Sequence, residues 1–169
     1  MDKFRSSRQK RISQVQEKRA AEDIGGRVQA GSGNVKLGGG GDVRKRGEFR
    51  VECKYTEKTY FILKLQELVK VQTQALQGGL ELPVFQISFV SPRTGAHDQY
   101  AVVSTVFRKS EDIFATTDRK RVRLGKEELQ RAFLSKDKVQ VIFEQKTKHM
   151  LYEVMPWHIF LQQEGARCS

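Results

Sequence analysis

Asp42-Val43-Arg44-Lys45-Arg46-Gly47-Glu48-Phe49-Arg50-Val51-Glu52-Cys53-Lys54 is the stretch on which the fold turns. In its second half Phe49, Val51 and Cys53 alternate with Arg50, Glu52 and Lys54, the period of a half-buried strand. Gly47-Glu48 predicts a turn, so a strand that begins at Asp42 folds back antiparallel on the one that follows. Residues two apart on a strand share a face, which sets Glu52 beside Lys54, roughly 6–7 Å apart at the Cα atoms. Val51 and Cys53 then point into the core. The same hairpin returns the Asp42 carboxylate to the side of Glu52.

Two carboxylates held this close repel unless a cation lies between them. Hard oxygen ligands suit magnesium or manganese. A divalent ion in such a place can polarise a phosphodiester and activate water, and a neighbouring lysine can offset charge that develops on the phosphate. Alone, Asp-x9-Glu-x-Lys is a common spacing in charged proteins and reads as a solvated strand face. Three features add weight to it here: the apolar residues that interleave Glu52 and Lys54, the glycine-rich run Gly38–Gly41 that leads into Asp42, and the basic character of the whole chain.

Outward from this stretch, residues 11–24 predict a helix with a weak apolar stripe of Ile12, Val15, Ala20, Ala21 and Ile24, preceded by a polar, basic segment expected to fray. Gly25-Gly26 stops it, and residues 29–41 read as loop. Residues 64–77 predict an amphipathic helix with Leu65, Leu68, Val69, Ala75 and Leu76 inward, ended by Gly78-Gly79. Strands follow at 84–89 and 100–106 around a hairpin loop, Pro92 to His97. A helix is expected at 126–134, with Leu129 and Phe133 inward. Two late strands lie at 139–143 and 150–154, and residues 157–161 cap the core. The order predicts an α/β sandwich around a mixed sheet.

The chain of 169 residues suits one domain. Lysine and arginine number 31 against 20 aspartates and glutamates, a formal net charge of +11. That excess points to a polyanion, because lysine and arginine release condensed counterions from a nucleic-acid backbone. The two cysteines, Cys53 and Cys168, form neither a disulfide framework nor a zinc-ligand spacing, and His97, His149 and His158 are scattered. No P-loop spacing follows the glycines. No apolar leader and no membrane-length run is present, so the expectation is a cytoplasmic protein with no membrane partner.

Taken together, Gln16-Glu17-Lys18-Arg19 on the first helix, the run Gly26 to Gly33 with Arg27 and Ser32, Gly41-Asp42-Val43, Val51-Glu52-Cys53-Lys54-Tyr55-Thr56, the 64–77 helix and the strand Pro83 to Phe89 have a familiar order. Residues 17–89 resemble the PD-(D/E)XK nuclease superfamily, and within it most resemble archaeal-type Holliday-junction resolvases and their phage-encoded relatives. The resemblance covers a little under half of the chain. It departs at Gly41, which stands in place of proline before the aspartate, a change common among relatives, and residues from about 107 onward have no counterpart in the small archaeal enzymes.

The resemblance implies a restriction-endonuclease-like αβββαβ core with a mixed central sheet flanked by helices. Residues 1–106 would form that core with a basic N-terminal segment, and 107–169 a small C-terminal α/β extension packed on the same domain. It implies a magnesium-dependent endodeoxyribonuclease, with manganese as a substitute, that resolves four-way or other branched DNA as a homodimer, in the host cytoplasm if phage-encoded. Glu17, Asp42 and Glu52 would surround the metal and Lys54 would be the catalytic lysine. Glu22, on the same helix, is the alternative to Glu17. Arg27 and Ser32 would lie on the loop that approaches the scissile strand, and Gln74 would stand over the site. Lys64 and Lys70 are candidate phosphate contacts, against the default of helix-surface lysines. Outside the resemblance, a non-catalytic basic nucleic-acid-binding protein accounts for the charge, and a nuclease of flaps or single strands accounts for the same residues.

Overall fold

The structure is a computed structural model that describes residues 2–29, 42–105 and 112–167. The elements run α1 (Asp2–Ile24), β1 (Arg27–Val28), β2 (Val43–Lys45), β3 (Phe49–Thr56), β4 (Tyr60–Lys64), α2 (Leu65–Gln77), β5 (Leu82–Val90), β6 (His97–Thr105), β7 (Ile113–Thr117), β8 (Arg121–Gly125), α3 (Lys126–Ala132), β9 (Val139–Gln145), β10 (Lys148–Pro156) and α4 (Trp157–Arg167). Eight strands make a mixed sheet in the order β1-β2-β3-β5-β6-β10-β9-β7, and β4 with β8 makes a separate two-stranded ribbon. The α/β architecture with a mixed central sheet is therefore present.

The hairpin expected around Gly47 forms. Val43 lies opposite Val51 and Lys45 opposite Phe49, and Gly47 holds a φ of 80° that a residue with a Cβ rarely adopts. β3 then runs parallel to β5, with Glu52 beside Phe85 and Lys54 beside Ile87, and the chain between them carries β4 and α2. A parallel neighbour needs such a crossover, which is why a helix follows β3 rather than a tight turn.

Two apolar layers flank the sheet. On one face Leu65, Leu68 and Val71 of α2 and Leu129 of α3 pack on Phe85, Ile87, Phe89, Val141 and Phe143. On the other, Ala20, Ala21 and Ile24 of α1 and Trp157 and Phe160 of α4 cover Val43, Val51, Cys53 and Val84. The alternation of Val51 and Cys53 with Glu52 and Lys54 thus separates the α1 face of β3 from its opposite face.

Three expectations are corrected. Helix α1 begins at Asp2 rather than near residue 11; Arg8 pairs with Glu57 at 2.8 Å and the Gln9 carbonyl accepts from the Tyr55 hydroxyl at 3.3 Å, so its first half is tied to the strand end. On α2 the inward residues are Leu65, Leu68, Val71 and Ala75, whereas Val69 and Leu76 are exposed. Each follows a stripe residue by one position, about 100° round the helix. Residues 112–167 add more than a small appendage: β10 pairs with β6 and brings β9 and β7 into the same sheet, three of its eight strands. Among the described residues no helix is long and apolar enough to cross a membrane.

Candidate functional site

The hairpin places Asp42 one residue before the Val43–Val51 pair, level with Glu52. Asp42 donates its backbone N–H to the Val51 carbonyl at 2.9 Å, and its Oδ2 accepts from the Cys53 N–H at 2.8 Å. Gln29 donates its backbone N–H to the Asp42 carbonyl at 2.9 Å, so the chain leaves for residues 30–41 and returns from them at one point. Both Asp42 and Glu52 are 8 % exposed. Lys54, on the same side of β3, donates from Nζ to Glu52 Oε1 at 2.6 Å.

Helix α1 brings in the third carboxylate. Its buried stripe is Gln16, Ala20, Ala21 and Ile24, and Gln16 anchors it by donating from Nε2 to the Lys54 carbonyl at 3.0 Å and to Gln86 Oε1 at 3.2 Å. Glu17, the next residue, is half-buried. Burial, then the charges of Asp42 and Glu52, raise its carboxyl above the ordinary value, with Lys54 opposing. Glu22, the alternative helix carboxylate, instead points to Lys18 at 4.0 Å and is largely exposed. Of the two, Glu17 is the one whose carboxyl feels the charges of Asp42, Lys54 and Glu52.

Electrostatically the cluster is out of balance. Glu17, Asp42 and Glu52, when ionised, carry three negative charges against the single positive charge of Lys54. Burial pulls the Lys54 ammonium down, but the bond to Glu52 and the charges of Glu52, Asp42 and Glu67 outweigh it and hold Lys54 above its usual range. Burial and the same three carboxylates, Asp42, Glu17 and Glu52, push the Cys53 thiol well up. Cys53 is accordingly a buried thiol, not a nucleophile.

The donor set, carboxylate oxygens with a residual negative charge, suits a hard divalent ion in type. The conformation is not a preformed cage: among the described residues no three His, Cys, Asp or Glu side chains are grouped to hold a metal. Lys54 engages one Glu52 oxygen and the Cys53 amide engages one Asp42 oxygen. No family model, curated protein or solved structure matches the chain. The geometry of the site therefore carries the functional reading by itself.

The remaining predicted residues are dispersed. Arg27 sits exposed on β1 opposite Arg44, at the edge of the sheet. Ser32 and Cys168 lie outside the described residues. Lys64 is exposed at the start of α2, 3.7 Å from Glu67. Gln74 lies in the last turns of α2; its carbonyl accepts from the Gly78 N–H at 3.0 Å, and its buried Oε1 has no hydrogen-bond partner.

Two neighbours were not anticipated, Gln16 and Glu67. Gln16 precedes Ala20 by four residues, as Ala20 precedes Ile24, so it occupied a stripe position in polar form. Glu67 follows Lys64 by three in the first turn of the helix, which reads as an ordinary surface pair until tertiary structure brings it within electrostatic reach of Lys54.

Proposed function

We propose that this protein is a metal-dependent endonuclease that hydrolyses DNA phosphodiester bonds. The observation that carries the reading is the hairpin that sets the nearly buried Asp42 and Glu52 at one level, with Lys54 bonded to Glu52 and with Glu17 of α1 within electrostatic reach of all three. Such an excess of negative charge, partly removed from water, is costly unless a cation completes it. The formal net charge of +11 elsewhere on the chain supplies attraction for a polyanion that the acidic cluster would otherwise repel.

Asp42, Glu52 and Glu17 would hold magnesium or manganese. The ion, when bound, supplies Lewis acidity toward the phosphate and lowers the pKa of water. Asp42 is fixed for its part by the Cys53 amide, which locks the carboxylate in one rotamer. Lys54 remains protonated under its acidic neighbours and can donate toward the negative charge that builds on the phosphate. Gln16 fixes the strand backbone under Lys54 and so limits its wandering.

The finer reading is a resolvase of four-way or branched DNA, acting as a homodimer, since two symmetric cuts need two sites related by a two-fold axis. The test is incubation with a synthetic four-way junction, a linear duplex and a single strand, with and without magnesium or manganese. Paired symmetric nicks confined to the junction support the resolvase. Cleavage of flaps or single strands instead keeps the nuclease and removes the junction. Binding without cleavage in either metal refutes the hydrolytic reading and leaves a basic nucleic-acid-binding protein.

A further inference from the structure

The β4–β8 ribbon stands apart from the main sheet and has two unlike faces. Phe61 and Leu63 of β4 and Val122 and Leu124 of β8 turn inward onto the α2 core. The alternate residues turn outward: Tyr60, Ile62 and Lys64 on one strand, Arg121 and Arg123 on the other. The register sets Lys64 directly opposite Arg121 and Ile62 opposite Arg123. Like charges placed opposite one another across a strand pair destabilise it, so this pairing is not explained by the stability of the ribbon.

The aromatic residue on this face is also crowded by cations. The Arg123 guanidinium lies 5.0 Å from the Tyr60 ring centroid and the Lys58 ammonium 5.5 Å from the same centroid. Acidic neighbours answer only part of this charge: Glu128 meets Arg123 at 3.3 Å and Glu67 meets Lys64 at 3.7 Å. Lys64, Arg121 and Arg123 all remain exposed. The Lys120 carbonyl accepts from the Leu65 N–H at 3.0 Å, which locks the turn before β8 to the start of α2. The Thr56 hydroxyl donates to the Tyr60 carbonyl at 3.4 Å, so the ribbon starts against the end of β3, the strand that carries Glu52 and Lys54, and its basic face adjoins the candidate site.

We propose that the outward face of the β4–β8 ribbon binds the phosphate backbone of nucleic acid beside the candidate site. The proposal rests on the nucleic-acid part of the reading above, not on hydrolysis. A five-residue strand extends about 13 Å from first to last Cα, long enough to meet several phosphates of a duplex whose charges recur every ~1.7 Å along its axis. Tyr60 and Arg123 together offer a flat, cationic platform that suits sugar and phosphate. A membrane surface fits poorly, because the only apolar outward residues, Tyr60 and Ile62, are half-buried and offer no bulky group for insertion. By this inference β8, from the region without counterpart in the small resolvases, completes a binding surface begun by β4.

The test compares the full-length wild type with an Arg121→Ala/Arg123→Ala variant, by fluorescence anisotropy on a labelled duplex and a four-way junction in EDTA, across a salt series. The expected result is a roughly tenfold weaker affinity at low salt for both DNAs and a log–log salt slope shallower by about 2, since each phosphate contact contributes about 0.9. An Arg121→Lys/Arg123→Lys variant should restore most of the slope. Unfolding midpoints of the variants establish that they are folded. Equal affinity and slope in wild type and the alanine variant overturn the proposal, as does a loss seen only with anionic phospholipid vesicles. A wild type that binds DNA with the ribbon-dependent slope yet cuts none in magnesium or manganese removes the hydrolytic reading alone. A wild type that binds no DNA removes both.

Discussion

Strand β3 carries two charged clusters on one side, a few residues apart, and they are built on opposite principles. At its start Arg50 donates to Glu81 Oε2 at 2.9 Å and Arg44 to Glu81 Oε1 at 2.6 Å, while the Gly47 N–H donates to Oε1 at 3.3 Å. Glu81 is 3 % exposed and Arg50 1 %. Burial pushes the Glu81 carboxyl up, but the bonds from Arg44, Arg50 and Gly47 outweigh it and hold it below the usual range. The geometry leaves no room for a larger neighbour, since a Cβ on Gly78 would run into the Arg50 guanidinium. Four residues further on, Lys54 bonds Glu52, Asp42 accepts from the Cys53 amide, and the Glu17 carboxyl is raised by burial and by its acidic neighbours. The first cluster pairs its buried acid with two arginines and a backbone N–H, and the second holds more acids than the lysine bonded to it balances. A buried ion network whose acid is held ionised by its own partners is a structural joint. One whose acids raise each other is the kind that the proposed cation would relieve.

The sharpest way to break this contrast is Glu52→Gln. If the second cluster is hydrolytic, DNA cleavage should fall by at least ~10³-fold with little change in unfolding midpoint, as gel assays and thermal melts would read; Lys54→Ala should cost on the order of 10²–10³-fold. Retained activity in Glu52→Gln would sink the assignment. Next in size is Glu81→Ala, which leaves the fully buried Arg50 without its acid and should destabilise the fold by about 3–5 kcal/mol. Denaturant unfolding measures it, and a loss under about 1 kcal/mol would mean that the joint behaves as a surface pair.

A smaller effect should come from metal. Magnesium or manganese at about 100 times its Kd should stabilise the wild type by about 2.7 kcal/mol. The gain should vanish in Asp42→Asn, and an equal rise in midpoint for both proteins would place the binding elsewhere. The smallest effect is a difference of sign with pH. Glu17 has a raised carboxyl, so the native state binds the extra proton, and stability falls as pH rises from 4.5 through the raised value. Glu81 has a lowered carboxyl, so its contribution is present above 4.5 and is lost as pH falls through the lowered value. In metal-free buffer, Glu17→Gln should therefore make stability rise more steeply with pH just above 4.5 than in wild type. An unchanged profile would show that Glu17 is not strained by its neighbours.

Much of the site was legible because it depends on short-range rules. The period of two along Phe49–Lys54 and a single turn at Gly47 suffice to place Glu52, Lys54 and Asp42 together, and the structure has that register. The second helix and the hairpin of β5 and β6 were legible for the same reason. The ribbon was not. Tyr60-Phe61-Ile62-Leu63 reads as an apolar run entering the helix, and Arg121-Val122-Arg123-Leu124 is too charged and short to stand as a strand by itself. Each becomes a strand because the other supplies its hydrogen bonds from some sixty positions away.

By itself, then, the sequence determined the alternation, the turn and the charge types, because backbone geometry and side-chain period act over a few residues. Which acid of α1 joins the pair, that Glu81 rather than Glu52 is neutralised by arginines, and that β9 and β10 extend the same sheet were decided only by tertiary structure. The physical reason is that charge compensation and strand pairing depend on distance in space, and residues far apart in the chain meet only after the layers have packed.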